Sequence, residues 1–310
     1  MRWNQVRATV AGGGWISLLG MGAVHGTLEA QFVRPTLLEH TGSFAAPSLT
    51  ESSGVAVSRR LEGVLWTHND SGDHAYLYAT NLAGDDLGSY HVSGASAVDW
   101  EDIALGPCPE AETCLYIADT GDNRRRRSNH AVYILPEPSR LPRPGQSPPE
   151  ALEARRLGVS YEGGPRDVEA MAVDSSGAIL FISKGRSGPF RLFRISAATA
   201  RGDSAEAEFL GNLDIVPQHM LGRWVTGAAV SPSGRQLVVR TYTELYFLGW
   251  NGHEAVLNRP PCLIGAVEPQ GEAVDFLDED TLVLTSESRG SMPGLITRVQ
   301  CPSSAAESGT

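Results

Sequence analysis

The chain has 310 residues and a formal net charge of −11 at pH 7. Nucleic-acid binding needs a basic surface, so this acidic balance argues against a nucleic-acid partner. Hydrophobic residues make up 41% and charged residues 20% of the chain, a composition that excludes disorder and allows a sizeable core.

The N-terminus has the pattern of an export signal. Arg2 and Arg7 supply positive charge, and the uncharged stretch 8–24 is rich in Gly, Ala, Leu and Trp. Small residues at Gly26 and Ala30 offer cleavage positions. We predict a signal peptide over residues 1–30 and a secreted or periplasmic protein without a later membrane span. A retained N-terminal anchor is the alternative, although a span usually needs about 20 apolar residues.

A short motif recurs five times along the rest of the chain, at intervals of about 45 to 70 residues. It has a polar residue, often Glu, followed by a small apolar strand, a turn and a second strand that ends in polar residues. Such a repeat predicts β units that stack into a ring. The copies are Ser52-Ser53-Gly54-Val55-Ala56, Trp100-Glu101-Asp102-Ile103-Ala104, Val168-Glu169-Ala170-Met171-Ala172, Val225-Thr226-Gly227-Ala228-Ala229 and Gly271-Glu272-Ala273-Val274.

The elements in chain order predict an all-β fold. An isolated strand, Pro35–His40, precedes the first unit, and the fifth unit lacks a fourth strand. Pairing of this strand into the last unit would close the ring and remove exposed edges. We therefore predict a five-bladed β-propeller over residues 31–302, followed by a disordered tail, 303–310. Six blades remain possible if one is hidden in the long second repeat, and the Pro- and Arg-rich insertion 136–154 is predicted to be a flexible surface loop.

Four cysteines agree with export, because an even number in an oxidising compartment favours disulfides. The simplest pairing joins Cys108 to Cys114 and Cys262 to Cys301. No pair has the spacing typical of a zinc or redox site.

The second residue of each motif is the first candidate for chemistry. Inner strands of a propeller begin at one mouth of the central tunnel, so these residues should converge there. Clustered carboxylates repel each other and need a cation or shared protons, and Ca²⁺ suits a wide ring of oxygen ligands. Capping of the tunnel by hydrogen bonds is the alternative. The predicted metal ligands are Glu101, Glu169, Glu272, Ser53 and Thr226.

The ends of the second strands supply another set of polar residues. Asp70 and Asp119 lie in two similar acidic turns, which also suit local hydrogen bonds. Lys184 and Arg240 would place cations beside the acidic cluster, either to bind an anionic group or to form salt bridges. Arg124 begins a basic run that suits an anion clamp or a solvated loop.

Three stretches resemble an uncharacterised group of secreted bacterial β-propeller proteins, similar in style to TolB-like and phytase-like propellers. They are Asp99-Trp100-Glu101-Asp102-Ile103-Ala104, Ala118-Asp119-Thr120-Gly121-Asp122-Asn123 and Val239-Arg240-Thr241-Tyr242-Thr243. The resemblance covers about residues 45 to 300 and implies an exported propeller. Phytase-like and apyrase propellers hydrolyse phosphate esters or anhydrides with Ca²⁺ at the axial mouth, but their dense set of basic residues has few counterparts in this chain.

Two functions follow from these observations. The first is an exported propeller whose axial Ca²⁺ site presents a binding face for a small anionic ligand or an envelope or extracellular protein. The second is a calcium-dependent phosphoester hydrolase in which Lys184 and Arg240 bind phosphate. A purely structural propeller is the remaining reading, and we expect a monomer in each case. The chain has no GxSxG, HExxH or phosphate-loop motif.

Overall fold

The computed structural model describes residues 32–146, 149–186 and 188–304. Within these ranges the chain is almost entirely β-structure, and the predicted all-β propeller architecture is confirmed. The predicted signal peptide, residues 1–30, and residues 305–310 of the predicted tail lie outside the described residues.

The strands of the described residues form four sheets. The first strand in the chain, β1 (Leu37–Ser43), joins the last sheet. The next sheet begins at the first motif, and its first four strands pair antiparallel in the order in which they occur in the chain. Its strands are β2 (Ser52–Val57), β3 (Leu65–Asn69), β4 (Tyr76–Thr80) and β5 (Ser89–Ser93).

The middle of the chain forms an eight-stranded sheet. Strand β9 (Glu150–Glu153) lies in this part of the chain but joins the sheet of β2 to β5. The eight strands are β6 (Trp100–Gly106), β7 (Cys114–Asp119), β8 (Ala131–Pro136), β10 (Arg155–Tyr161), β11 (Val168–Val173), β12 (Ile179–Ser183), β13 (Phe190–Ile195) and β14 (Ser204–Leu213). Strand β10 pairs antiparallel with β8 and parallel with β14. The sheet therefore consists of two antiparallel units, β6-β7-β8-β10 and β11-β12-β13-β14, joined at their outer edges.

The rest of the chain supplies two more units. Their strands are β15 (Val225–Val230), β16 (Gln236–Thr241), β17 (Glu244–Trp250), β18 (Ala255–Leu257), β19 (Cys262–Leu263), β20 (Gln270–Phe276), β21 (Thr281–Glu287) and β22 (Leu295–Gln300). Short 3-10 helices cover Thr199–Arg201 and Met220–Arg223. Each motif of the sequence therefore opens one antiparallel unit.

The N-terminal strand closes the last unit, as predicted. Strand β1 pairs antiparallel with β22, from Leu37 opposite Gln300 to Ser43 opposite Leu295. It extends three residues beyond the predicted end at His40. The first strand of the described chain thus becomes the outermost strand of the last unit and covers the edge that β22 would otherwise expose.

The described residues of the insertion 136–154 contain regular structure that its composition did not predict. Residues Glu150–Glu153 form β9, which pairs in parallel with β5 at the edge of the first unit. Glu137 is buried and accepts hydrogen bonds from the Ser58 and Thr113 hydroxyls, both at 2.6 Å. The expectation of a flexible loop was wrong because a four-residue strand leaves almost no periodic signal within a Pro-rich segment.

The innermost strands form a closed ring around a central axis. Strands β2, β6, β11, β15 and β20 each contact the next, and β20 contacts β2. Apolar side chains fill the space between neighbouring units, with Trp66, Trp100 and Tyr133 between the first two and Tyr116, Met171 and Phe181 between the second and third. A radial arrangement of sheets with cores between them is that of a β-propeller.

Both predicted disulfides are present. Cys108 is bonded to Cys114, and Cys262 is bonded to Cys301. The second bond ties β19 to the end of β22. Two disulfides indicate folding in an oxidising environment. Among the described residues, none belongs to a helix that is long and apolar enough to cross a membrane.

Candidate functional site: an acidic axial mouth

Each inner strand contains a β-bulge at the second residue of its motif. The pairing register shifts at Ser53 in β2, Glu101 in β6, Glu169 in β11, Thr226 in β15 and Glu272 in β20. An irregularity at the same place in all five strands makes these positions structurally equivalent. Bulges commonly re-aim side chains beside functional sites.

Two further positions repeat around the ring with the bulge. The residues two places before the bulge are Glu51, Asp99, Asp167, Trp224 and Gln270. In each unit the first residue of the motif pairs with a residue of the second strand. The residues that come directly after these partners are Asp70, Thr120, Lys184, Tyr242 and Glu287. We call these fifteen positions the axial mouth. They contain eight carboxylates and a single ammonium group, that of Lys184.

Several contacts join the three sets of positions. The Lys184 ammonium lies 2.6 Å from Glu169 Oε2. Tyr242 and the Gln270 amide donate to Glu272 Oε1 at 3.2 and 2.9 Å. Residues that are more than ten positions apart in sequence therefore meet at the mouth.

The closest group of carboxylates consists of Asp70, Asp99 and Glu101. One oxygen from each lies within 4.8 Å of the others, a grouping able to hold a metal ion. Gly121 permits this approach, because a Cβ there would lie 2.0 Å from Glu101 Oε1 and 2.4 Å from Asp99 Oδ2. The acidic turn after β7 thus needs a glycine at this position, because any larger residue would clash with the carboxylates.

Some oxygens of the mouth are buried without a hydrogen-bond partner among the described residues. They are Asp70 Oδ1, Glu169 Oε1 and Thr226 Oγ1. Glu169 is 4% exposed and Thr226 is 1% exposed, so solvent access is small. A buried oxygen without a donor costs about 1–3 kcal/mol, and a bound cation would remove that cost for the carboxylates.

Burial and mutual repulsion raise the pKa values of the carboxyl groups. Burial, aided by the charge of Asp99, raises the pKa of Asp70 to about 7. Burial raises the pKa of Glu169 to about 8, although Lys184 opposes the shift. Burial and the charge of Glu169 raise the pKa of Glu101 well above its ordinary value. Without a cation, the mouth would therefore hold protons near neutral pH.

A second buried carboxylate of the same strand has different surroundings. Asp102 Oδ2 accepts hydrogen bonds from the backbone N–H groups of Met171 at 2.9 Å and Ala228 at 3.2 Å, and Oδ1 accepts from Ile103 at 2.8 Å. The equivalent positions of the other inner strands carry Gly54, Ala170, Gly227 and Ala273. Asp102 thus links β6 to β11 and β15 across the space that small residues leave open.

The remaining predicted site residues lie away from the carboxylate group or are paired. Arg240 is fully buried, and its guanidinium donates to Thr285 O at 3.0 Å and to the Glu268 carboxylate. Asp119 Oδ1 accepts from Arg127 Nη2 at 2.6 Å. Arg124 is exposed in the turn after β7.

Sequence reasoning did not select Asp99, Glu287 or Tyr242 as site residues. Asp99 stands two residues before Glu101, and the same spacing recurs at Glu51 and Asp167. A search of the repeats for a second periodic acidic position would have found this set. Glu287 and Tyr242 lie in the polar stretches at the ends of the second strands, but their exact equivalence requires the pairing register of each unit.

Likeness to one solved structure with a TM-score above 0.5 supports the fold. The PQQ-bound aldose sugar dehydrogenase of Streptomyces coelicolor matches with a TM-score of 0.53 and 14% identity, over 87% of this chain and 98% of that chain. A protein of unknown function from Bacteroides thetaiotaomicron matches with a TM-score of 0.48 and 8% identity, over 85% of this chain and 75% of that chain. No family model and no curated protein matches the sequence. At such low identity the likeness extends to the fold alone.

Proposed function

We propose that this protein is an exported, five-bladed propeller that binds Ca²⁺ at the axial mouth and presents the surrounding surface to a ligand or partner. Each antiparallel unit corresponds to one blade. The observation that carries the proposal is the group formed by Asp70, Asp99 and Glu101, whose oxygens lie within 4.8 Å of one another. Cys108–Cys114 and Cys262–Cys301 support export, since disulfides persist in oxidising compartments.

The donor set favours a hard divalent cation. Carboxylate and hydroxyl oxygens are the ligands that Ca²⁺ and Mg²⁺ prefer, and the mouth offers no sulfur or imidazole in its fifteen positions. Ca²⁺ accepts six to eight oxygens in variable geometry, whereas Mg²⁺ requires a near-ideal octahedron. A mouth built from side chains of five separate strands suits the less demanding ion.

The neighbouring groups suggest how the site is completed. Glu169 Oε1 is buried and unpartnered among the described residues, while its other oxygen is held by Lys184 at 2.6 Å. Glu101 and Glu169 are close enough for the charge of Glu169 to raise the pKa of Glu101. We therefore assign Asp70, Asp99 and Glu101 as ligands, with Glu169 as the next nearest carboxylate.

The alternative, a calcium-dependent phosphoester hydrolase, requires cations that are free to hold phosphate. Arg240 is fully buried and bonded to Glu268, and Lys184 is bonded to Glu169. Neither group is available without breaking an ion pair. The two residues that were predicted to bind phosphate are therefore engaged in ion pairs, and we propose binding without turnover at the axial mouth. Assay of phosphomonoesters and nucleotides with Ca²⁺ and with EGTA tests it, and EGTA-sensitive turnover would establish the hydrolase instead.

Calorimetric titration with Ca²⁺ after removal of metal by EGTA tests the site itself. Glu101→Gln and Asp70→Asn each remove one negative ligand, so we expect affinity to fall by about tenfold to a hundredfold. Glu254→Gln is the matched control, because Glu254 is exposed and lies in a turn between β17 and β18. Equal affinities for wild type, Glu101→Gln and Asp70→Asn would remove this site from consideration.

A further inference from the structure

Beside the axial mouth lies a second cavity of a different character. It has a volume of about 300 Å³ and is lined by Arg125, Arg166, Arg191, Lys184, Ser183 and Asp167. Lys184 and Asp167 also belong to the axial mouth, so the two sites share a wall. Small-molecule sites commonly have volumes of about 300 to 1,000 Å³.

The three arginines come from separate parts of the chain. Arg125 lies in the turn after β7, Arg166 lies two residues before the start of β11, and Arg191 lies near the start of β13. The turn docks onto the third unit because the backbone N–H of Asp122 donates to Asp167 Oδ1 at 3.0 Å. Arg125 adopts a left-handed conformation with φ of 52°, which non-glycine residues rarely take.

None of these arginines forms an ion pair with a described carboxylate. Arg166 donates instead to the carbonyl oxygens of Gly163 at 2.9 Å and Pro165 at 3.0 Å. The guanidinium of Arg191 lies 5.7 Å from the centre of the Phe209 ring. By contrast, Arg127 pairs with a carboxylate at 2.6 Å. The cavity thus collects three guanidinium groups that have no ion pair among the described residues, in a chain with a net charge of −11.

Arg166 has a buried donor that faces no acceptor. Its Nε is buried and has no hydrogen-bond partner among the described residues. Burial lowers the pKa of Arg166, and the charges of Arg191 and Arg125 lower it further. Like charges held together around a cavity with a spare donor favour occupation by an anion.

We propose that this cavity binds the oxyanion group of a small ligand, with phosphate as the best-fitting chemistry, independently of the cation site. A guanidinium fork matches the oxygens of phosphate or carboxylate in a bidentate way that an ammonium group cannot reproduce. Asp167 Oδ1 accepts a hydrogen bond from the Asp122 N–H, which reduces the electrostatic repulsion between this carboxylate and a bound anion. The ligand then sits next to the axial mouth.

Calorimetric titration with inorganic phosphate in the presence of EGTA tests this proposal on the full chain. Wild type should bind saturably, and Arg166→Gln and Arg191→Gln should each weaken binding by about tenfold or more, as loss of a charge-assisted hydrogen bond does. Arg235→Gln is the control, because Arg235 is exposed in the turn between β15 and β16. If Arg166→Gln fails to fold, Arg191→Gln and the charge-preserving Arg166→Lys carry the test.

Titration with phenyl phosphate and with benzoate, which both carry a phenyl ring, then distinguishes a phosphate ligand from a carboxylate ligand. Tighter binding of phenyl phosphate assigns a phosphate ligand, and tighter binding of benzoate assigns a carboxylate within the same site. Affinity for phosphate should be equal in Glu101→Gln, so failure of the cation site leaves this test intact. Absence of saturable binding, or equal affinity in wild type, Arg166→Gln and Arg191→Gln, would overturn the proposal.

Discussion

Glu101 and Asp102 are adjacent in β6, and both bury a carboxylate, yet the two carboxylates lie in opposite kinds of environment. Asp102 accepts hydrogen bonds from three backbone N–H groups on three inner strands. Glu101 lies among other carboxylates, with Asp70 and Asp99 oxygens within 4.8 Å. The pairing register shifts at Glu101, and a bulge of this kind re-aims the side chain that it carries.

The difference shows what burial of a carboxylate means in this fold. Burial raises the pKa of both groups. For Asp102 the backbone donors oppose the shift, so its charge joins the strands. For Glu101 the charges of Glu169 and Asp70 add to the upward shift of the pKa. A buried carboxylate is structural where donors surround it and is a candidate for cation binding where like charges do.

The largest expected effect belongs to Asp102. Asp102→Ala leaves three buried N–H groups without an acceptor, and we expect a loss of about 3–5 kcal/mol in the free energy of unfolding. Asp102→Asn keeps an acceptor oxygen and should lose less. Chemical denaturation measures both. A loss for Asp102→Ala below about 0.5 kcal/mol, the usual range of a surface change, would break the comparison.

The pH dependence of the metal-free protein should be the next largest effect. The pKa is raised to about 7 for Asp70 and to about 8 for Glu169 and Glu287. Between about pH 4 and pH 8 the folded state keeps protons that the unfolded chain has lost, so stability falls as pH rises and levels off above pH 8. We expect a loss of about 2–4 kcal/mol across this window in EGTA.

Saturating Ca²⁺ provides the control for that experiment. A cation takes the place of the protons, so the fall in stability toward pH 8 should shrink or reverse when Ca²⁺ is present. Denaturation curves at pH 5, 6.5 and 8, recorded with Ca²⁺ and with EGTA, measure this difference in stability. Identical pH profiles with Ca²⁺ and with EGTA would speak against cation binding at the mouth.

A change of opposite sign is expected for Glu101. In EGTA at pH 8, Glu101→Gln removes one of several repelling charges while keeping the side-chain shape, so stability should increase by about 1–2 kcal/mol. Glu254→Gln, on the surface, should change stability by less than about 0.5 kcal/mol. A destabilised Glu101→Gln protein would assign Glu101 the same structural role as Asp102.

The smallest effect is expected for Lys184, the only basic side chain among the fifteen positions of the axial mouth. Lys184→Gln removes a positive charge 2.6 Å from Glu169, so affinity for Ca²⁺ should rise about threefold, as expected for partly screened charges. Calorimetric titration compares this variant with wild type. A fall in affinity would instead make Lys184 a positioning residue for Glu169.

Much of the architecture was predictable because it rests on local patterns that repeat. The five motifs place Ser53, Glu101, Glu169, Thr226 and Glu272 at one position, and all five are bulges in the structure. The strand near His40 and the even number of cysteines predicted how the chain closes. The bulge itself gave no separate signal, since the inner strands are buried on both faces and have no alternation that one extra residue could interrupt.

The sequence by itself determined the repeat, the short apolar strands that become buried between neighbouring sheets, and the acidic character of one end of the ring. Only the tertiary structure decided that Asp102 meets three N–H groups, that Arg240 is enclosed by Glu268, and that Asp70, Asp99 and Glu101 converge. The physical reason is that strand periodicity is a local property of the chain. The donors and charges around a buried group, by contrast, come from strands that are distant in sequence, and their register sets which groups meet.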